Sequence, residues 1–231
     1  MKAALPNVIT SGRFVLALIF FVLMENYRHG TYPGGPPGSP LWVLDLAFAL
    51  FVITAVTDIL DGYLARRWKQ ESAFGRILDP LVDKVLIVGA FIYLASSHFA
   101  CYGPGFCPGD AQPTARIAYN ASGVAPWMVV LILIRELLVT GLRGFSEAQG
   151  LSFKATIPGK VKMFVQCFAA GTVMVVTGHA EQLFPGQHWP YLLRDGTLWL
   201  MVVVTVFSML VYMERARGLL LLGLRGREKK V

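Results

Sequence analysis

Six long apolar segments alternate along the chain with short segments rich in charged residues, glycine and proline. Each apolar segment is close to the roughly 20 residues that an α-helix needs to cross a bilayer. We therefore predict an all-α integral membrane protein with six transmembrane helices. The predicted helices cover residues 5–28, 41–67, 79–100, 125–146, 159–178 and 196–217.

The segments between the helices predict loops and helix boundaries. Residues 29–40 and 101–123 are rich in glycine and proline, which predicts two loops without regular structure. Residues 68–78 form a short polar connection. Asp79-Pro80 is expected to open the third helix, because proline is tolerated in a first helical turn.

Composition narrows the class of protein. Of the 231 residues, 55% are hydrophobic and only 15% are charged, which excludes an ordinary soluble domain. The net charge is +7, but the basic residues lie between apolar segments, so we expect no nucleic-acid partner. We treat residues 1–231 as a single membrane domain. Its basic tail, from about residue 218, is expected to lie on the membrane surface.

The distribution of Lys and Arg predicts the orientation in the bilayer. With six helices, both termini lie on the same side of the membrane. Of the 21 Lys and Arg residues, only Arg28, Arg116 and Arg194 fall on the opposite side. The positive-inside rule therefore predicts that both termini are cytoplasmic. It also places the connection between the second and third helices, and with it the polar active site, near the cytoplasmic side.

The three cysteines do not form a disulfide framework. Cys101 and Cys107 lie in one predicted loop, where they could pair, and Cys167 lies in an apolar segment. The chain has no Cys/His spacing typical of a zinc site.

Four carboxylates lie around the connection between the second and third predicted helices. Asp58 and Asp61 share a helix face, and Asp79 and Asp83 share a face of the next helix. An ionised carboxylate near the bilayer centre costs at least about 2.5–3.5 kcal/mol, so we expect the four to face a cavity, a cation or both. Clustered oxygens suit Mg²⁺ or Mn²⁺, and two pairs can hold two ions. For the acids alone, an ion or proton pathway is the alternative.

The acids belong to a longer string, D-x2-D-G-x2-A-R-x8-G-x3-D-x3-D, which also contains Gly62, Ala65, Arg66 and Gly75. This string resembles the signature of the CDP-alcohol phosphotransferase family. The resemblance implies that the first three acids bind a pair of divalent metals. It also implies that Asp83 contributes to metal binding and serves as the general base. The small residues would leave room for the nucleotide of a CDP-linked lipid, and Arg66 would contact its phosphates.

The first predicted helix carries Leu5-Pro6-Asn7-x2-Thr10-x2-Arg13, with three polar residues spaced along one side. The string resembles the amino-terminal segment of the same family, which implies that Asn7 and Thr10 approach the CDP group. An interfacial polar face is the alternative.

A second polar cluster lies in the fourth and fifth predicted helices. Glu136, Thr140 and Arg143 fall on one flank of the fourth helix, beside Arg135. Glu136 can hold an arginine in place, which leaves positive charge for an anionic acceptor. The fifth helix opens with a basic pair and a glutamine one turn later, namely Lys160, Lys162 and Gln166. For the two lysines, a snorkelling pair at the membrane interface is the alternative.

The pattern R-E-x3-T-G-x-R followed by G-K-x-K-x3-Q resembles family members whose acceptor is sn-glycerol 3-phosphate. The implied ligands of that acceptor are Arg143, Lys160, Lys162 and Arg135, supported by Glu136, Thr140 and Gln166. Met163 departs from the pattern, because many members carry threonine there. Ser208 and Tyr212 also fit, less specifically.

The resemblance implies an enzyme that transfers the phosphatidyl group of CDP-diacylglycerol to sn-glycerol 3-phosphate and releases CMP. It also implies a homodimer in the bacterial inner membrane. The same chemistry with inositol phosphate or phosphatidylglycerol as the acceptor is one alternative. A cation transporter that uses the four acids is the other.

Overall fold

The computed structural model describes the backbone of residues 5–29, 38–68, 73–102, 117–148 and 157–228, and the side chains of residues 12–29, 38–57, 84–99, 120–146, 159 and 161–217. Over these ranges the chain forms six long α-helices, which confirms a predominantly helical fold. They are α1 (Leu5–Asn26), α2 (Leu41–Trp68), α3 (Ala73–Leu94), α4 (Pro126–Ala148), α5 (Ile157–Leu183) and α6 (Trp189–Glu228).

Small residues allow the central helices to pack closely. Helix α5 packs against both α6 and α2. Ala169 and Ala170 of α5 are fully buried. A Cβ atom at Gly171 would lie 3.3 Å from the ring of Phe48, and one at Gly178 would lie 3.0 Å from Leu44 of α2. Small residues at such contacts let helix backbones approach each other, as is common between membrane helices.

The outside of the helices is apolar. Large side chains such as Leu137, Phe164 and Leu192 are about 70% exposed. Among the residues that the structure describes, two segments are long and apolar enough to cross a membrane, Val161–Leu183 and Trp189–Arg217. An exterior of this kind suits contact with lipid rather than water.

The third helix begins earlier than expected, so the prediction that Asp79-Pro80 opens it is wrong. Helix α3 starts at Ala73, which places Pro80 inside the helix. Proline in a membrane helix is tolerated when neighbouring groups satisfy the freed carbonyl. The helix also ends at Leu94 rather than at residue 100. There its carbonyl accepts hydrogen bonds from Asn120 Nδ2 at 3.1 Å and from Ser122 Oγ.

The predicted loop over 101–123 is wrong at both of its ends. Strand β1 (Ala100–Tyr102) pairs with strand β2 (Ile117–Asn120) in a two-stranded antiparallel sheet, with Cys101 opposite Tyr119. These short strands were not predicted, because the glycine and proline residues between them indicate a loop. The intervening sequence, with Cys107 and its predicted pairing, lies outside the described residues.

The last helix is longer than predicted. Helix α6 extends from Trp189 to Glu228, whereas the sequence predicts residues 196–217. The first part of the basic tail therefore continues α6. Gly218 is a typical helix-ending residue, but the run Leu219–Leu222 that follows it has high helical propensity, and the helix continues through both.

Gly89 provides a test of the packing between α1 and α3. A Cβ atom at this position would clash with Cε1 of Phe21, whose ring packs against Phe20 and Tyr93. We expect Gly89→Ala to destabilise the protein by about 1–3 kcal/mol, because the ring must shift within packed neighbours. Thermal unfolding in detergent measures the loss. Gly196→Ala is the matched control, because no atom lies within 4 Å of its Cβ position. Equal stability of the two variants would contradict this account.

Candidate active site

Helices α3, α4, α5 and α6 line a partly open cavity of about 580 Å³. Four cationic side chains and one carboxylate line it in the described part of the chain, so positive charge is in excess. The principal polar lining residues are Lys84, Arg135, Glu136, Arg143, Lys162 and Gln166.

Glu136 is the centre of the buried charge cluster. Its Oε1 atom accepts a hydrogen bond from Arg135 Nη1 at 3.1 Å and another from Lys162 Nζ. All three residues are buried, each less than 10% exposed over the whole residue. Two cations share one carboxylate, so the cluster retains a net positive charge inside the protein. The ion pair with Lys162 joins α4 to α5, and the two pairs together fix both cations at the cavity wall. Burial of Lys162 shows that the snorkelling alternative is wrong for this residue.

Helix α6 positions the two arginines of α4. Arg135 Nη2 donates a hydrogen bond to Ser208 Oγ at 2.8 Å, and Arg143 Nη2 donates one to Tyr212 Oη at 3.1 Å. The guanidinium carbons of Arg135 and Arg143 lie 5.4 Å and 5.8 Å from the centre of the Tyr212 ring. Ser208 and Tyr212 are both fully buried. The phenol ring therefore contacts both guanidinium groups and restricts their orientation.

Three buried polar atoms along the cavity have no hydrogen-bond partner among the described residues. They are the donors Arg135 Nε and Arg143 Nε and the acceptor Gln166 Oε1. Buried polar groups in native proteins are normally satisfied, so such atoms at a cavity indicate a ligand. The two donors, together with the excess positive charge, suit the oxygens of a phosphate group.

Lys84 is a cavity residue that the sequence did not identify as part of the site. Its Nζ atom donates a hydrogen bond to Thr140 Oγ1, which in turn donates to the carbonyl oxygen of Glu136 at 2.7 Å. Lys84 follows Asp83 directly in the sequence, and a lysine beside an acid within an apolar segment was the available signal. It brings a fourth cation to the cavity from α3.

The structure thus brings together six of the predicted site residues, namely Arg135, Glu136, Thr140, Arg143, Lys162 and Gln166. The side chains of the other predicted site residues lie outside the described part of the chain. These are Asn7, Thr10, Asp58, Asp61, Gly62, Ala65, Arg66, Gly75, Asp79, Asp83 and Lys160. Arg13 is only 2% exposed, so the alternative of an interfacial polar face is wrong at that position.

The backbone nevertheless relates two of the four acids, Asp79 and Asp83, to the cavity. Asp58 and Asp61 lie within one turn of α2, and Asp79 and Asp83 lie one turn apart on α3. Ile87, one turn beyond Asp83 on the same helix, lines the cavity. The part of α3 that carries Asp79 and Asp83 is therefore followed, on the same helix, by the segment that lines the cavity.

The apolar helical exterior is typical of a helical membrane protein, and the cation-rich lining of the cavity suits an anionic ligand. The chain belongs to the CDP-alcohol phosphatidyltransferase family, whose model matches residues 3–207. Membership of this membrane-bound family agrees with the two apolar helices of membrane-spanning length.

Several curated relatives carry the name CDP-diacylglycerol–glycerol-3-phosphate 3-phosphatidyltransferase. A protein from Cereibacter sphaeroides is 33% identical over 202 residues, which cover 86% of this chain and 72% of the relative. A protein from Bacillus subtilis is 32% identical over 206 residues, which cover 88% of this chain and 90% of the relative. One from Haemophilus influenzae is 29% identical over 223 residues, which cover 96% of this chain and 97% of the relative.

Proposed function

We propose that this chain transfers the phosphatidyl group of CDP-diacylglycerol to sn-glycerol 3-phosphate, giving phosphatidylglycerophosphate and CMP. One observation carries the proposal: a cavity whose described lining has excess positive charge contains buried arginine donors that have no partner among the described residues. A phosphate-bearing acceptor supplies the negative charge and the oxygens that these groups require. The names of the relatives support the same reaction.

The acceptor phosphate would bind between α4 and α5. Arg143 presents a guanidinium group held by Tyr212, and Lys162 presents an ammonium group held by Glu136. Arginine offers a planar pair of donors and lysine a compact charge, and both suit phosphate. Arg135 lies behind them, between Glu136 and Ser208. Lys160 would add a further charge near the start of α5.

The donor set of the acids fits a pair of hard divalent cations. Four carboxylates at helical spacing, with no thiol or imidazole among them, match the oxygen ligands that Mg²⁺ and Mn²⁺ prefer. Asp58, Asp61, Asp79 and Asp83 would hold two such ions. When bound, the metals would stabilise negative charge on the phosphoryl oxygens.

Residues of this chain would place the CDP group beside the acids. Asn7 and Thr10 of α1 would contact the cytidine end, and Arg66 would contact the diphosphate. Gly62, Ala65 and Gly75 would leave space for the nucleotide, because their side chains add little or no bulk. All of these residues lie on α1, α2 or α3.

Asp83 would serve as the general base. It would take the proton from the terminal hydroxyl of glycerol 3-phosphate as the hydroxyl oxygen bonds to the phosphorus that carries diacylglycerol. The bond from that phosphorus to the CMP oxygen breaks, and CMP leaves with the electron pair. Lys84 comes next in the chain, and its ammonium group lies in the cavity that would hold the acceptor.

The same proposal includes the arrangement in the cell. The protein would cross a bacterial inner membrane six times, with both termini cytoplasmic, and would act as a homodimer. Charged glycerol 3-phosphate would then reach the cavity from the cytoplasm. The family assignment favours this enzyme over the cation transporter considered from the acids alone.

Arg143→Ala tests the acceptor site. We expect KM for glycerol 3-phosphate to rise roughly 10- to 150-fold, because loss of one charged hydrogen bond costs about 1.5–3 kcal/mol. KM for CDP-diacylglycerol should change little. Paired kinetics, with each substrate varied in turn and CMP release as the readout, measure the difference. Arg28→Ala is the control, since this arginine is exposed and lies outside the cavity.

Equal effects of Arg143→Ala on both substrates would contradict a role in acceptor binding. The wild-type protein should also be offered inositol phosphate, phosphatidylglycerol and free glycerol in place of glycerol 3-phosphate. Preferred turnover of any of these would overturn the proposed acceptor. Metal-dependent CMP release with glycerol 3-phosphate, and identification of phosphatidylglycerophosphate as the product, would support it.

A further inference from the structure

Gln166 is a buried cavity residue whose hydrogen bonding is incomplete. It lies on α5, one turn beyond Lys162, and is only 1% exposed. Its Nε2 atom donates to Thr205 Oγ1 of α6 at 3.3 Å, while Oε1 has no partner among the described residues. A buried amide oxygen without a donor is unfavourable, because water solvates it in the unfolded chain. The cavity is where a ligand could supply the missing donor.

Phosphate cannot supply this hydrogen bond. The dianion carries only acceptor oxygens, so it satisfies the unpartnered donors Arg135 Nε and Arg143 Nε but not an acceptor. A hydroxyl group differs, because it both donates and accepts. It therefore satisfies the free end of the Gln166 amide in either orientation of the amide plane. A ligand that carries both a phosphate and a hydroxyl group would satisfy the two arginine donors and the glutamine acceptor.

We propose that Gln166 is a specificity-determining residue that binds the middle, non-reacting hydroxyl of glycerol 3-phosphate. The inference rests on the proposed function, in which the terminal hydroxyl attacks and the phosphate binds Arg143 and Lys162. Lys162 and Gln166 are four residues apart on α5, so their Cβ atoms are about 5–6 Å apart. A three-carbon ligand is long enough to reach both side chains. Gln166 thereby selects acceptors that carry a hydroxyl on the carbon adjacent to the phosphorylated one.

The test compares glycerol 3-phosphate with 3-hydroxypropyl phosphate, which keeps the phosphate and the terminal hydroxyl but lacks the middle one. The measured quantity is the inhibition constant of the analogue in competition, divided by KM for glycerol 3-phosphate. For the wild-type protein we expect a ratio of about 10 or more, because the analogue leaves the buried amide unsatisfied. For Gln166→Met, which keeps the length of the side chain, we expect the ratio to fall towards one.

Gln182→Met is the matched control, because Gln182 lies on the same helix but is exposed. It should keep the wild-type ratio, and neither variant should change KM for CDP-diacylglycerol by much. A merely structural role for Gln166 would weaken binding of both acceptor ligands equally and would leave the ratio unchanged.

A wild-type ratio near one would overturn the inference, and this measurement does not depend on any variant folding. An unchanged ratio in Gln166→Met would also overturn it. Both results presuppose turnover of glycerol 3-phosphate by the wild-type protein. Absence of that turnover would instead overturn the proposed function, on which the inference rests.

Discussion

Asp83→Asn is expected to lower turnover by about 10²- to 10⁴-fold, the usual contribution of a general base. The substitution preserves the size of the side chain but removes its ability to take a proton. It also removes a charged oxygen from the proposed metal ligands, which weakens binding of a divalent cation. Helix α3 should still form, because asparagine fits the same helical position with a cost well below 1 kcal/mol.

Metal-dependent CMP release at saturating Mg²⁺ measures the effect of Asp83→Asn, and thermal unfolding in detergent verifies that the variant is folded. Asp45→Asn is the matched control. Asp45 is an exposed acid in the first half of α2, and its Oδ1 atom lies 3.4 Å from Nε2 of His179. The control should retain nearly full activity. Near-wild-type activity of Asp83→Asn at saturating metal would show that Asp83 is not the base.

Glu136→Gln is expected to destabilise the fold by about 3–5 kcal/mol, because it leaves buried cations without their counter-ion. Arg135 and Lys162 share this carboxylate, and each is no more than 5% exposed. For a chain of this size, the expected drop in melting temperature is roughly 6–20 °C. Thermal unfolding in detergent provides the measurement.

A second substitution separates charge imbalance from a packing defect. The double variant Glu136→Gln, Lys162→Met lacks one of the two cations that have lost their counter-ion. It should recover part of the lost stability. Glu214→Gln serves as the control, because this carboxylate lies exposed on α6 and should change the melting temperature little. If Glu136→Gln has the same melting temperature as the wild-type protein, the carboxylate does not hold the two cations as described.

The apolar segments were sufficient to predict the helices but not their ends. The six predicted segments correspond to α1 to α6, because long runs without charge have few alternative structures. The ends depend on contacts between distant residues. Helix α3 ends where Asn120 and Ser122 bond the carbonyl of Leu94, which no local pattern around Leu94 reveals. Pro80 was a misleading boundary signal, because α3 begins at Ala73 and continues through it.

In the site, too, residues on one helix could be grouped from the sequence, but contacts between helices could not. Glu136, Thr140 and Arg143 could be grouped from the sequence, because helical spacing places them on one flank of α4. The hydrogen bond of Arg143 with Tyr212 joins residues 69 positions apart, and that of Lys84 with Thr140 joins residues 56 positions apart. Pairing of this kind follows from the packing of α3 and α6 against α4, which spacing within one helix does not determine.

The ion pairs of Glu136 also bear on attempts to make a more robust form of the protein. Replacing a buried ion pair by apolar residues of similar volume often leaves a fold equally stable or raises its stability. A selection for heat resistance alone would therefore favour apolar side chains at Glu136, Arg135 and Lys162. Such variants would join α4 to α5 through packing and would lack the charges proposed to bind phosphate. Robustness gained at this cluster would come at the expense of catalysis, so stabilising substitutions should be sought elsewhere in the molecule.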